Sequence, residues 1–153
     1  MARRQLTFST YDDVIAELDR LSGGGYQQVG NWTLGQICRH LSYYLRGSLD
    51  GFDFMLPWPV RKLVGRALLK RLLAKEAIPD GARTIPQSVF EPDDDDTGAV
   101  ADAMSLLGRL RDHRGELHPS PLFDHVTPEQ WQHLHLIHAA HHLSFLVPHS
   151  VRS

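Results

Sequence analysis

The chain has 153 residues, of which 42% are hydrophobic and 22% charged, and its formal net charge is −2. These values are typical of one soluble domain and exclude a chain that is drawn to nucleic acid by its overall charge. No apolar run approaches the roughly eighteen residues of a membrane span, and a single cysteine excludes an intrachain disulfide. We therefore expect one cytoplasmic domain over residues 1–153, with neither a nucleic-acid nor a membrane partner.

Two helices are predicted in the first third of the chain, each behind a capping box in which a threonine is followed three residues later by an acid or amide. The first box, at residues 10–13, precedes apolar residues at helical spacing and predicts a helix over residues 10–22, which Gly23 ends. The second box, at residues 33–36, precedes an apolar stripe of period 3.6 and predicts a helix over residues 33–49.

The segment over residues 51–97 is irregular and too long for a tight turn between two packed helices. Within it, residues 60–78 predict a short amphipathic helix, and residues 61–75 carry six cations and no acid. This helix could contact a membrane surface or an anionic ligand, but we favour a solvated outer face, because long cationic side chains also cover apolar neighbours. The acidic run 93–96 is interpreted as a solvated loop before the next helix.

Two further helices are predicted after this crossover. Apolar residues on one face predict a helix over residues 97–113. Residues 127–130 then combine a threonine cap, a proline at the first helical position and a glutamine that completes a capping box, which predicts a helix to about Leu146, before Pro148. No strand is predicted. Four helices with one long crossover favour an all-α four-helix bundle.

The last predicted helix contains five of the chain's ten histidines, within the run WQHLHLIHAAHHLSFL. At 100° per residue, His138 and His142 lie one turn apart on the face that carries the aromatic residues, a spacing that lets two imidazoles bind one metal ion. His133 projects to the far side of this helix, whereas His135 and His141 border the pair. A partner is needed for each buried ring nitrogen, because an unpaired buried polar group costs about 1–3 kcal/mol.

Two ligands are too few for zinc, which takes three protein ligands in an open catalytic site and four in a closed structural site. His40, the only histidine in the first 112 residues, lies at the margin of the second helix's apolar stripe and is the candidate third ligand. Two alternatives stay open: His141 could replace His142 as a ligand, or the imidazoles could hydrogen-bond one another without an ion. The candidate catalytic residues are His141 and Gln36, with Tyr44 a weaker candidate.

The stretches NWTLGQICRHLSYYLRGSLDGF and HPSPLFDHVTPEQWQHLHLIHAAHHLSFL resemble the domain-of-unknown-function 1569 family, a branch of the DinB/YfiT-like superfamily. The resemblance implies a DinB-like four-helix bundle of uncommon chain order, with the long crossover and its short extra helix between helices two and three. It also implies a metal-binding triad, which in this chain falls on His40, His138 and His142.

Characterised members of that superfamily include metal-dependent S-transferases of low-molecular-weight thiols and a maleylpyruvate isomerase. The resemblance therefore implies an enzyme whose three-histidine site activates a water or a low-molecular-weight thiol for transfer or hydrolysis on a small-molecule substrate. Zinc or nickel is the expected metal and iron a further candidate, because imidazole ligands suit all three. The alternative is a non-catalytic, metal-stabilised bundle that acts as a small-ligand binding or dimerisation module, and a homodimer is compatible with either.

Overall fold

The computed structural model describes residues 2–150, which are mostly helical. No helix among these residues has the length and hydropathy that crossing a bilayer requires. In chain order the elements are α1 (Tyr11–Gly24), β1 (Tyr26–Gln28), α2 (Leu34–Asp50), α3 (Trp58–Val60), a π-helical turn (Arg61–Gly65), α4 (Arg66–Lys75), a 3-10 turn (Pro86–Ser88), α5 (Asp96–Asp112), α6 (Pro128–Leu143) and β2 (Leu146–Pro148).

The four long helices α1, α2, α5 and α6 are those that the sequence predicts. Each of the three predicted capping boxes is formed, so that the side chains of Thr10, Thr33 and Thr127 accept a hydrogen bond from the backbone N–H three residues later. The short helix predicted inside the crossover is present as α3, the π-helical turn and α4, and it ends at Lys75.

A small antiparallel sheet corrects the prediction that the chain has no strand. The strand β1 pairs with β2, and Tyr26 lies opposite Pro148. The predicted last helix was also too long, because α6 ends at Leu143 and the chain then extends into β2. Strands of three residues are too short to show an alternating pattern, and their pairing joins residues more than a hundred positions apart.

The helices α1 and α2 both pack against α5 and α6, and their facing sides form the main apolar core. Cys38 of α2 is completely buried in this core, and burial raises the pKa of its thiol to about 12. A second cluster joins the crossover to α6: Leu69 of α4 packs with Phe123, Trp131 and Leu134. The crossover therefore lies beside α6 and covers the face that carries its histidines.

The capping box at the start of α6 can be tested directly by mutation. The Thr127 hydroxyl accepts from the Gln130 N–H at 3.2 Å, and the Gln130 side chain accepts from the Thr127 N–H at 3.1 Å. Thr127→Ala leaves a helix N–H without this partner, and we expect the free energy of unfolding in urea to fall by about 1 kcal/mol. Thr127→Ser keeps the hydroxyl and should stay within a few tenths of a kcal/mol of wild type. Equal losses in the two variants would contradict the capping role.

Candidate metal centre

Three histidines from two helices converge beside the crossover. His40 lies on α2, and His138 and His142 lie one turn apart on α6. One ring nitrogen from each lies within 4.8 Å of the other two, and the Nε2 atoms of His40 and His138 are 2.8 Å apart. His40 is buried, and the other two are partly buried. The three residues predicted as metal ligands are therefore brought together by the fold.

The crossover determines which nitrogen of His40 is free. Nδ1 of His40 lies 2.8 Å from the carbonyl oxygen of Ser88 in the 3-10 turn. A carbonyl only accepts, so Nδ1 carries the proton and Nε2 keeps its lone pair. The turn is itself held, because the Ser88 hydroxyl donates to the carbonyl of Ile85 at 2.7 Å and accepts from the Tyr44 hydroxyl at 3.2 Å. Histidines that bind metals in proteins are commonly oriented in this way, by a hydrogen bond to their second ring nitrogen.

Burial also keeps the three imidazoles uncharged at neutral pH. It lowers the pKa of His40 to about 4, and burial together with the neighbouring imidazoles lowers the pKa of His142 to about 2. The same two causes hold the pKa of His138 well below its usual value. A neutral imidazole has one lone pair to give, whereas a protonated one has none. All three imidazoles are therefore neutral, which is the charge state that a transition metal requires of its imidazole ligands.

The separation of the ring nitrogens is compatible with an ion after a small adjustment. At 2.8 Å, the Nε2–H of His138 donates to the lone pair on Nε2 of His40. Two nitrogens bound to one tetrahedral zinc ion would lie about 3.3 Å apart, so binding would need a shift of about 0.5 Å in one side chain and transfer of the His138 proton from Nε2 to Nδ1. Three imidazoles within this range are compatible with a metal, and imidazole ligands suit zinc, nickel and iron alike.

The other two histidines that border the pair have different partners. Nε2 of His135 lies 3.0 Å from the Ser48 hydroxyl, and its ring stacks on Trp131 with centroids 5.0 Å apart. Nδ1 of His141 lies 3.1 Å from the guanidinium of Arg3, which can only donate. In its neutral form His141 therefore carries its proton on Nε2, and both burial and Arg3 lower its pKa. Neither residue belongs to the group of three converging histidines.

Two further residues named from the sequence lie apart from the cluster. His133 is not part of the cluster, and its Nε2 lies 3.3 Å from a carboxylate oxygen of Glu76, the residue that follows α4. Gln36 is buried, but its side-chain oxygen completes the capping box at Thr33 and its amide donates to the carbonyl of Phe90 at 2.9 Å. Both ends of Gln36 are thus engaged with backbone. We therefore assign it to positioning the crossover, in place of the catalytic role that its spacing suggested.

A cavity of about 230 Å³ adjoins the three histidines. The histidines of α6 form its polar end, and apolar side chains from the crossover and α6 form most of its wall. The residues of this wall include Leu68, Leu72, Ile78, Phe123, Trp131 and Leu134. Arg83 from the crossover is the lining residue that carries a full charge at neutral pH. A small molecule with an apolar body can therefore lie against the histidine cluster.

Arg3 and Trp32 complete the surroundings and were not identified from the sequence. The guanidinium of Arg3 lies over the ring of Phe145, 4.3 Å from its centroid, and Nε of Arg3 donates to the Ser144 hydroxyl at 2.6 Å. Trp32 stacks on His142 with an interplanar angle of 14°. These contacts join segments that are distant in the sequence, so no local pattern marks either residue.

Comparison with known proteins agrees with the motifs from which the family resemblance was drawn. No curated protein and no solved structure matches the chain. The model of a family described as a protein of unknown function (DUF1569) matches residues 1–149. That match spans both helices of the histidine cluster and the crossover between them. The chain therefore belongs to the DUF1569 family.

Proposed function

We propose that the protein is a metal-dependent enzyme with a DinB/YfiT-like four-helix bundle, in which His40, His138 and His142 hold one divalent transition metal, zinc or nickel. Its reaction would be transfer of a low-molecular-weight thiol to a small molecule, or hydrolysis of one. The observation that carries this proposal is the number of ligands. Among residues 2–150, three histidines form the group, without a fourth histidine, a cysteine or a carboxylate. Structural zinc sites use four protein ligands, whereas catalytic sites use three.

A divalent ion held there would supply Lewis acidity, which favours the deprotonated form of a water or thiol at neutral pH. The chain's own residues prepare the surroundings. The Ser88 carbonyl orients His40, and the apolar cavity wall excludes water, which strengthens electrostatic interactions inside. His141 lines the cavity with its protonated Nε2 unused by Arg3, so we assign it to donating a hydrogen bond to the substrate.

The cavity indicates the class of substrate. Its wall is mostly apolar, and Arg83 brings a positive charge to it from the crossover. A small molecule with an apolar body and an electron-poor carbon or an ester bond would place its reactive atom at the histidine end. We expect the co-substrate to be water or a low-molecular-weight thiol. The small volume of about 230 Å³ is compatible with a small molecule and disfavours a macromolecular chain inside the cavity.

The proposal is tested on untagged protein, because a His-tag would bind metal itself. Metal content by plasma mass spectrometry should give about one ion per chain, and anomalous scattering at the zinc and nickel edges should place it at the triad. Two reactions are then followed with and without chelator: conjugation of bacillithiol or glutathione to monochlorobimane, and hydrolysis of a p-nitrophenyl ester. A chelator-sensitive rate in either supports the enzyme, and wild-type protein without stoichiometric metal would overturn it.

The alternative is a non-catalytic bundle that the metal stabilises, with a small-ligand binding or dimerisation role. It is favoured by one observation: the three ligands come from two helices distant in sequence, so that a shared ion would tie α2 to α6. Stoichiometric metal with a large thermal stabilisation, but no turnover of either kind of substrate, would support this alternative over the enzyme.

A further inference from the structure

The crossover presents large apolar side chains to solvent. Trp58 is 60% exposed, Leu63 75% and Val64 64%, although all three lie in or beside a helical segment. We use the name crossover face for the exposed apolar side chains of this segment: Met55, Trp58, Val60, Leu63, Val64 and Leu68. In residues 2–150, Val89 is the remaining large hydrophobic residue with comparable exposure. Lys62 lies over the ring of Trp58, 5.8 Å from its centroid, but the cations leave most of Leu63 and Val64 uncovered.

The same segment concentrates positive charge. Residues 61–75 hold six of the chain's sixteen lysines and arginines and none of its eighteen acids. Arg61 and Lys62 both pair with Asp124, and Arg66 donates to a backbone carbonyl. Ion pairs of the cations further along α4 are not found within residues 2–150; these are Lys70, Arg71 and Lys75. An exposed apolar surface is thus flanked by cations whose charge is not neutralised locally.

We propose that the crossover face docks the protein on an anionic lipid surface. A helix that lies in the membrane interface combines an indole and aliphatic side chains, which enter the headgroup region, with lysine and arginine, which meet lipid phosphates. Trp58, Leu63 and Val64 supply the first part, and α4 supplies the second. This docking needs no spanning helix and goes beyond the proposed reaction, because the metal centre takes no part in it.

A second copy of the chain fits this surface less well. A two-fold symmetric interface brings the same patch of both copies together. Here it would bring the cation-rich segment 61–75 of both copies into one interface, and like charges within an interface oppose association. An anionic lipid surface can pair its phosphates with the cations and bury the exposed apolar side chains among its headgroups.

Docking in this way would place the cavity next to the lipid. Leu68 belongs to the crossover face and also lines the cavity, and Leu72, one turn later on α4, lines it as well. The apolar surface is therefore continuous from the outside of the crossover to the cavity wall. Molecules that partition into the headgroup region would reach the cavity without crossing bulk water.

The experiment is vesicle flotation with untagged full-length protein and two compositions, phosphatidylcholine alone and phosphatidylcholine with phosphatidylglycerol. We expect binding to the anionic vesicles, weakening as salt rises, and none to the neutral ones. Leu63→Ser/Val64→Ser should lower the partition coefficient at least tenfold, and Lys70→Gln/Arg71→Gln roughly tenfold. All four positions are solvent-facing or partly so, so circular dichroism should be unchanged.

Matched controls lie outside the face. Val89→Ser removes an exposed apolar side chain, and Arg114→Gln an exposed cation, elsewhere on the molecule, and both should bind vesicles like wild type. The tryptophan emission of wild type should shift to the blue on anionic vesicles, and Trp58→Phe should remove that shift. Equal loss of binding in Val89→Ser and in Leu63→Ser/Val64→Ser would overturn the assignment of the face.

Two other outcomes would also overturn the proposal. The first is wild-type protein that stays monomeric by light scattering and does not float with anionic vesicles at low salt. The second is wild-type protein that ignores vesicles but forms an oligomer which Leu63→Ser/Val64→Ser dissociates, since the face would then be covered by a second copy. Metal content is measured in parallel and should equal that of wild type in every variant. A loss of vesicle binding can then be distinguished from a failure of the metal centre on which the proposed reaction depends.

Discussion

Replacing His138 with alanine is expected to abolish the rise in melting temperature that a divalent transition metal gives the untagged wild-type protein. A ligand at about a thousand times its Kd adds about 4 kcal/mol to the free energy of unfolding. For a chain of this length each kcal/mol corresponds to about 2–4 °C, so the wild type should gain about 8–16 °C with zinc or nickel over chelator. His138→Ala leaves two ligands and should gain at most a few degrees.

The matched control for this prediction is His133→Ala. His133 is on the same helix but outside the group of three, beside Glu76, so its loss should leave the metal-dependent rise intact. The readout is the difference between metal and chelator for each variant. This matters because His138→Ala also removes a hydrogen bond to His40, and its metal-free stability can change by about 1–3 kcal/mol for that reason alone. An equal metal-dependent rise in the two variants would show that the triad is not the binding site.

Replacing Gly65 with alanine is expected to lower the free energy of unfolding by about 2–3 kcal/mol. Gly65 ends the π-helical turn, and a Cβ there would lie 1.9 Å from the carbonyl oxygen of Leu122 and 3.2 Å from the Cα of Phe123. Both atoms belong to the backbone, so no side-chain rotation relieves the overlap. The crossover would have to move away from the loop before α6, with loss of apolar contacts on both sides.

Gly23→Ala is the matched control for Gly65→Ala. Gly23 lies in the last turn of α1, and a Cβ there meets no atom within 4 Å. Alanine favours the helix over glycine, so this variant should be neutral or up to about 1 kcal/mol more stable. Urea unfolding, followed by circular dichroism, gives both values under the same conditions. Similar midpoints for the two variants would mean that the crossover does not pack as closely on the loop as the structure shows.

The long helices and two ligands of the cluster could be predicted because their signals are local. Threonine caps with a partner three residues later mark the starts of α1, α2 and α6. The spacing of His138 and His142 within one helix predicts that their rings meet, and no knowledge of the rest of the fold is needed. The prediction of His40 needed one more argument: a metal site requires at least three protein ligands, and His40 was the histidine available on another helix.

The remaining parts of the site depend on contacts that no local pattern contains. The Ser88 carbonyl reaches His40 across 48 positions, and Arg3 reaches His141 across 138. Gln36 is a different case, because both ends of its side chain have backbone partners. Its side-chain oxygen forms the predicted capping box at Thr33. The same short side chain cannot also reach a nucleophile at the histidine cluster while it holds this cap.

The hydrogen bond from His40 to the Ser88 carbonyl joins the crossover to the candidate metal centre. A turn that orients His40 is, by reciprocity, stabilised by whatever uses the lone pair on its other nitrogen. An ion bound at the triad would then favour order in the turn, and α4 and Arg83 are connected to that turn by the chain itself. If the triad holds an ion, local opening of the turn at Ser88 should therefore be rarer with the ion bound than without it.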